Sequence, residues 1–212
     1  MADENAPIQL TPDQAWQRLA EGNARFVAGA SAHPNQDAAR RESLTEGQAP
    51  FAAIFGCSDS RLAAEIIFDL GLGDTFVVRT AGQVLGGASL GSLEYAVAEL
   101  NVPLIVVLGH DSCGAVGATK QAAETGQMPP GFVRDLVEAI MPSVIASRHG
   151  AEEGSVGVND MVREHTRQSA ARLVDQSKII TEAVEEGRTA VLGVFYNLRD
   201  GKAELVSSSR GL

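Results

Sequence analysis

Apolar residues are grouped in short runs along the chain, separated by longer segments that have the spacing of helices. The runs at 51–55 and 104–108 are unbroken, which is typical of strands buried on both faces of a parallel sheet. Further strands are predicted at 75–79 and 189–198. Gly201 then supplies the positive φ of a hairpin turn, from which residues 203–207 return as an antiparallel partner. We therefore predict a mostly parallel sheet with an antiparallel C-terminal edge strand.

The segments between the strands are predicted to be helical and to flank this sheet, which makes the fold an α/β fold. Pro142 is expected to kink or split one helical segment, and His165, on the apolar side of a later one, is interpreted as a packing residue. A chain of 212 residues is long enough for one domain of this kind. The predicted helical segments are 62–70, a segment ending near 101, 114–125, 132–149 and 158–186.

The first helix has a clear start, with Thr11 as its cap, Pro12 at the first helical position and Gln14 closing a capping box. This helix and the polar connection 30–49 form a helical arm, residues 1–49, that precedes an α/β core at 50–212. The arm either packs on its own domain or reaches over a second subunit, and the pattern favours neither. Its apolar stripe consists of Trp16, Leu19, Ala20 and Phe26 or Val27.

Side chains that can bind a metal occur where two predicted strands end. Cys57 follows the strand 51–55, and His110 and Cys113 follow the strand 104–108. The carboxyl ends of parallel strands meet at one edge of a sheet, so we expect the three side chains to converge. Two thiols and an imidazole are a ligand set that zinc takes when it keeps a fourth position open. A helix begins directly after Cys113, and its amino end is expected to lower the pKa of this thiol.

Asp59 and Arg61 are expected to lie beside an ion bound to Cys57. The three residues alternate, so an extended segment would point their side chains the same way. Asp59 can bind the metal as a fourth ligand, which closes the site. Alternatively, Asp59 can pair with Arg61 and accept a hydrogen bond from metal-bound water, which leaves the site open. The spacing allows both arrangements.

The composition is that of an ordinary globular protein, with 44% hydrophobic and 21% charged residues. A net charge of −10 and the lack of a Lys/Arg cluster argue against a nucleic-acid partner. The acidic first residues, and the lack of an apolar run long enough for a membrane span, predict a cytoplasmic protein with no membrane association. A reducing compartment disfavours the alternative use of Cys57 and Cys113 as a disulfide.

The motifs Cys57-x-Asp59-x-Arg61 and His110-x-x-Cys113 resemble those of the β-class carbonic anhydrases, with actinobacterial members most similar. The likeness runs from about residue 16 to the C-terminal strand pair. It implies zinc held by Cys57, His110 and Cys113, with hydroxide, or Asp59 in a closed state, as the fourth ligand. The implied reaction is the reversible hydration of carbon dioxide to bicarbonate and a proton. Asp59 would orient the zinc-bound hydroxide, and Arg61 would hold Asp59 off the metal.

The same resemblance implies a substrate pocket whose residues come from two subunits, and therefore a homodimer or a homotetramer. The Gly114 N–H would be offered to bicarbonate, and without the resemblance Phe76 and Tyr95 are as easily core residues. Asp111 departs from the serine that usually follows the histidine and adds negative charge near the zinc. The implied pocket residues are Gln48, Phe76, Ala81, Tyr95 and Gly114.

Two other functions fit the same residues. A hydrolase of carbon disulfide or carbonyl sulfide would use the same zinc ligands behind a narrower entrance. A structural-zinc or redox-sensing module would use Asp59 as a permanent fourth ligand. Arg61 has no evident role in a purely structural site, which disfavours the module.

Overall fold

The computed structural model describes residues 10–152 and 154–210. Its strands are β1 (Ala52–Cys57), β2 (Thr75–Thr80), β3 (Leu104–His110), β4 (Ala190–Tyr196) and β5 (Ala203–Ser208). They form one sheet in the order β2-β1-β3-β4-β5, in which all neighbours are parallel except β4 and β5. The predicted parallel sheet with an antiparallel C-terminal edge strand is confirmed.

Helices connect the strands and pack against the sheet, as predicted. Helix α5 has the predicted bounds, and α6 runs through Pro142 without being split. The segment predicted as one helix at 158–186 is divided at Ser177, whose hydroxyl accepts the Ile180 N–H and so begins a new helix. Within the described part of the chain, the helices are α1 (Pro12–Val27), α2 (Ala38–Ser43), α3 (Ala64–Ile67), α4 (Gly87–Ala98), α5 (Gly114–Thr125), α6 (Val133–Ser147), α7 (Val158–Gln176) and α8 (Lys178–Glu185).

The two central strands explain the unbroken apolar runs in the sequence. Every residue of β1 and β3 is buried. Side chains alternate between the faces of a strand, so Ile54 and Val106 join one core cluster while Phe55 and Val107 join the other. Because both faces of these strands need apolar residues, polar positions are absent from their interiors.

Helix α1 packs on its own chain. Thr11 and Gln14 form the predicted capping box, and Leu19 lies in the core cluster on one face of the sheet. Trp16 and Phe26 also pack against this cluster, so the stripe is as predicted with Phe26 rather than Val27 as its last member, except that Ala20 is exposed. Since its buried face lies against this chain, the helix supports the first of the two interpretations of the arm.

Two buried carboxylates fasten the arm to the core. Arg25 Nε lies 2.6 Å from Asp69 Oδ2, and Arg18 lies 2.8 Å from Asp74 Oδ1. Asp69 also accepts the backbone N–H groups of Ala32 and His33. Both acids lie between α3 and β2, so the arm is tied to the segment that leads into the second strand.

The C-terminal hairpin forms as predicted, with Gly201 at a φ of 74° and Gly201 N–H donating to Asn197 O at 2.9 Å. None of the helices at 10–152 and 154–210 combines the length and apolar character of a membrane-spanning helix.

Candidate metal centre

The three predicted ligands converge at the carboxyl ends of two neighbouring strands. Cys57 ends β1 and His110 ends β3, and these parallel strands pair directly through Gly56 and Leu108. Cys113 caps the amino end of α5. One ligand atom from each residue lies within 4.8 Å of the other two, and all three residues are buried. The convergence predicted from the strand ends is confirmed.

The orientation of His110 leaves one ring nitrogen available to a metal. Its Nδ1 lies 2.8 Å from Asp111 O, and since a carbonyl only accepts, Nδ1 carries the proton. The other nitrogen, Nε2, then presents a lone pair toward the thiols. It is buried and has no hydrogen-bond partner among residues 10–152 and 154–210. Such an unpaired acceptor beside two thiols fits a metal ion, and a hydrogen bond on the far nitrogen is usual for metal-binding histidine.

The thiols titrate as a pair. The Cys113 thiol donates to Cys57 and, together with the nearby His110 ring and the Gly82 N–H, lowers the pKa of Cys57 to about 4, against the opposing effect of burial. The negative charge on Cys57 and burial raise the pKa of Cys113, although the N–H groups of Ala115 and Val116 act the other way. The prediction that the helix end lowers the pKa of Cys113 is therefore wrong, because Cys113 lies beside the Cys57 thiolate. The amino end of α5 does stabilise the Cys113 thiolate, but the negative charge of the neighbouring Cys57 destabilises that thiolate more strongly. A bound dication would supply the positive charge that a second thiolate needs.

Asp59 and Arg61 form a bidentate ion pair beside the ligands. Arg61 Nε lies 2.9 Å from Asp59 Oδ1, and Arg61 Nη2 lies 2.8 Å from Asp59 Oδ2. The Arg61 guanidinium holds the pKa of Asp59 well below its ordinary value, so Asp59 is ionised throughout the neutral range. Asp59 Oδ2 is 4.0 Å from His110 Nε2, which places the carboxylate next to the ligand cluster.

The pair does not arise from an extended segment, as the alternation had predicted. The chain turns after Cys57, with Leu62 N–H donating to Asp59 O, and Asp59 Oδ1 also accepts the Arg61 N–H at 2.9 Å. This local side-chain to backbone bond is an Asx turn, which aspartate favours. The turn, rather than strand periodicity, brings the two side chains together.

Sequence reasoning missed two residues that hold the loops around the ligands. Arg79 donates to Cys57 O at 3.0 Å and to Asp59 O at 2.6 Å, so it fixes the backbone on both sides of Ser58. Asn159 Oδ1 accepts the Ser112 N–H at 3.1 Å. Both side chains bond to backbone groups, which every residue carries, so no sequence motif indicates the roles of Arg79 and Asn159.

Asp111 has a structural role that its charge did not suggest. Its Oδ1 accepts the Leu198 N–H at 2.7 Å, and its own N–H donates to Tyr196 O at 3.0 Å. These bonds tie the end of β3 to the end of β4, next to His110.

The predicted pocket residues are spread over several surfaces of the chain. Gly114 is the first residue of α5, directly after Cys113, and Ala81 precedes Gly82, whose N–H donates to Cys57 Sγ. The rings of Phe76 and Tyr95 pack with their centroids 6.2 Å apart, and 49% of Tyr95 is exposed. Gln48 lies elsewhere, exposed in a surface depression that Leu44 and Leu72 also line.

His165 is a buried, hydrogen-bonded residue, as predicted. Its Nε2 lies 2.9 Å from Gly82 O and its Nδ1 lies 3.0 Å from Ser143 Oγ. Burial lowers the pKa of His165 from 6.5 to about 4, so the ring is neutral at neutral pH. Both ring nitrogens are occupied, which is consistent with a packing role.

This burial predicts a pH dependence of stability. The unfolded chain binds a proton at His165 below pH of about 6.5 and the folded chain only below about 4, so stability falls as the pH drops between these values. The full effect is roughly 3 kcal/mol, from about 1.4 kcal/mol per pKa unit. Urea unfolding at several pH values should show a flatter dependence for His165→Gln than for wild type. The matched control is His149→Gln at an exposed position. Equal slopes for wild type and His165→Gln would contradict the prediction.

Fold and site together define a class: α/β proteins with a mostly parallel sheet and, at its carboxyl edge, two cysteines and one histidine that could hold a metal ion. The family model described as carbonic anhydrase matches residues 52–203. The chain therefore belongs to the carbonic anhydrase family.

Known relatives agree with this assignment. The chain is 53% identical to a carbonic anhydrase of Mycolicibacterium smegmatis over 196 residues, which cover 92% of this chain and 94% of that one. It is 54% identical to carbonic anhydrase 2 of Mycobacterium tuberculosis, with 92% of each chain covered. The solved structure of the β-carbonic anhydrase CcaA matches with a TM-score of 0.70 at 25% identity, covering 89% of this chain and 86% of that one. These matches confirm the resemblance to β-class and actinobacterial members.

Proposed function

We propose that this protein catalyses the reversible hydration of carbon dioxide to bicarbonate and a proton, with zinc held by Cys57, His110 and Cys113. The observation that carries the proposal is the buried cluster of two thiols and the unpaired His110 Nε2, next to a carboxylate that Arg61 restrains. The activity of the curated relatives, named carbonic anhydrases at 53% and 54% identity, supports it.

Zinc fits this ligand set better than magnesium or calcium, because thiolates are soft ligands and the hard cations prefer oxygen. Three protein ligands leave a fourth position free for water. When bound, zinc lowers the pKa of a coordinated water from about 15.7 towards about 7, which makes a nucleophile available near neutral pH. Both cysteines are free thiols, and a reducing compartment such as the cytoplasm keeps them able to bind metal.

In this proposal Asp59 and Arg61 control the open fourth position. Arg61 holds both carboxylate oxygens of Asp59, so the carboxylate stays beside the metal position without entering it. Asp59 remains an ionised acceptor, which lets it orient the attacking water by a hydrogen bond. If Arg61 releases Asp59, the carboxylate can become the fourth ligand and close the site.

We assign Gly114, Phe76 and Ala81 to the substrate pocket. Gly114 offers a backbone N–H at the amino end of α5, where a helix favours a negatively charged product such as bicarbonate. Phe76 and Ala81 give an apolar side for carbon dioxide.

Gln48 and Tyr95 complete the pocket from a second copy of the chain, together with the Phe76 ring that packs on Tyr95, which makes the protein a homodimer or homotetramer. Exposure of Gln48 and Tyr95 in the single chain supports this assignment. Each chain then acts as one unit of 212 residues, with the arm 1–49 and the core 50–212.

The rate of hydration is expected to rise from neutral to alkaline pH. The Cys57 and Cys113 thiolates would place more negative charge on a bound zinc ion than neutral imidazoles would, so water activated there would lose its proton less readily. Asp59 does not cause the rise, because its lowered pKa keeps it ionised over this whole range. Stopped-flow hydration with a pH indicator tests this, and a rate that falls steadily toward alkaline pH would contradict it.

The same assay separates the proposal from the two other functions. Carbonyl sulfide and carbon disulfide should compete poorly with carbon dioxide. Rapid hydrolysis of either gas without carbon dioxide hydration would favour the sulfur-gas hydrolase. Bound zinc with no turnover of any of the three gases would favour the structural or redox-sensing module.

A further inference from the structure

One amide group of a short turn contacts a predicted metal ligand directly. The Gly82 N–H donates to Cys57 Sγ at 3.2 Å. A hydrogen bond to a thiolate stabilises negative charge on the sulfur and reduces its donation to a bound metal. The direction of this amide therefore affects the metal site.

Gly82 has no side chain to fix this direction. Its φ is 66°, and a Cβ at this position would lie 2.8 Å from the Ala115 Cβ and 2.9 Å from the Ile140 Cδ1. Only glycine fits, and glycine has little conformational preference of its own. The next residue, Gln83, also has a positive φ of 40° and is buried. Two consecutive residues with positive φ, the second of them not a glycine, persist only when the surrounding structure holds them in this conformation.

Two adjacent side chains of α7 hold this turn. His165 Nε2 lies 2.9 Å from Gly82 O, and Thr166 Oγ1 accepts from Gln83 Nε2 at 3.3 Å. The carbonyl of Gly82 only accepts, so Nε2 of the neutral His165 ring carries the proton. The hydrogen bond at the carbonyl restrains ψ of Gly82, and the bond from its N–H to Cys57 restrains φ.

Ser143 on α6 supports the ring from its other side. Its hydroxyl lies 3.0 Å from His165 Nδ1 and 2.9 Å from Gln168 Oε1. His165 is thus held between Gly82 and Ser143, and it does not touch Cys57, His110 or Cys113 through any of these bonds. Its packing role, predicted from the sequence, does not explain why its donor faces this turn.

We propose that His165 is a positioning residue for the metal centre: its Nε2–H anchors the Gly82 carbonyl, in the peptide group next to the one that contacts Cys57, and so holds the turn in the conformation that directs the Gly82 N–H to the Cys57 thiolate. The inference rests on the proposed metal site. Without this anchor the turn at Gly82 and Gln83 relaxes and its Gly82 N–H moves away from the sulfur, so the thiolate donates more strongly to the metal.

The test uses the full-length protein loaded with Co²⁺, whose thiolate ligands give a sulfur-to-cobalt charge-transfer band in the near ultraviolet. In His165→Leu the band should move to longer wavelength, because a sulfur without its hydrogen bond gives up an electron more easily. His165→Gln keeps an Nε2 donor and should return the band toward the wild-type position. Val144→Ala, a buried core position on α6, controls for loss of stability alone and should leave the band in place.

A His165→Leu band at the wild-type wavelength would overturn the inference, and so would equal shifts in His165→Leu and Val144→Ala. A wild-type protein with no charge-transfer band would instead refute the proposed metal site, and the inference with it. If His165→Leu does not fold, wild-type protein loaded with ¹¹³Cd provides the second measurement. A scalar coupling from the metal to the Gly82 amide proton across the N–H···S bond is expected, and its absence would overturn the inference.

Discussion

Replacing His110 with alanine is expected to abolish tight zinc binding and, with it, carbon dioxide hydration. His110 Nε2 is buried beside two thiols and has no hydrogen-bond partner among the described residues, which fits a nitrogen kept for the metal. Losing a hydrogen-bonding partner of a metal ligand costs roughly 10–100-fold in affinity, and losing the ligand itself should cost more. Competition with a chromogenic zinc chelator measures the change.

The matched control for this variant is His149→Ala, which removes an exposed histidine. It should bind zinc as wild type does. Unchanged zinc affinity in His110→Ala would place the metal somewhere other than this cluster, and the proposed site would be wrong.

Replacing Arg61 with alanine is expected to remove activity while zinc stays bound. The change deletes both side-chain bonds to Asp59, and among residues 10–152 and 154–210 it leaves the backbone N–H at position 61 as the remaining hydrogen-bond donor to this carboxylate. Asp59 Oδ2, already 4.0 Å from His110 Nε2, can then reach the fourth metal position. The rate should fall on the order of 100-fold or more, the scale for losing one preorganised group at a reacting centre.

Two further variants separate closure of the site from simple loss of charge. Arg61→Lys keeps the charge but not the bidentate fork, so it should retain part of the activity. In the double variant Asp59→Ala/Arg61→Ala no carboxylate is left to close the site, so the rate should exceed that of Arg61→Ala. Zinc content is measured beside every rate. Full activity in Arg61→Ala, or loss of its zinc, would contradict the proposed role of the pair.

The sheet and the metal ligands could be predicted because their signals are local. Unbroken apolar runs at 51–55 and 104–108 indicate strands buried on both faces, and Cys57 and His110 directly follow them. Parallel pairing of these strands then brings the ligands together without further information.

The errors in the prediction arose where a residue's surroundings come from distant parts of the chain. The helix end after Cys113 was visible in the sequence, but the opposing effect of Cys57 on the pKa of Cys113 depends on their contact in the fold. Arg79 and Asn159 bond to backbone groups, and backbone acceptors and donors leave no trace in the residue pattern. His165 was correctly predicted as a packing residue, but its bond to Gly82 joins positions 83 residues apart.

The most direct test of the account is stopped-flow carbon dioxide hydration while zinc is titrated into metal-free protein at alkaline pH. We expect the rate to rise in proportion to bound zinc and to stop rising at one ion per chain, since Cys57, His110 and Cys113 form one site. Protein that binds one zinc ion per chain at these residues, yet hydrates carbon dioxide no faster than buffer, would contradict the proposed function.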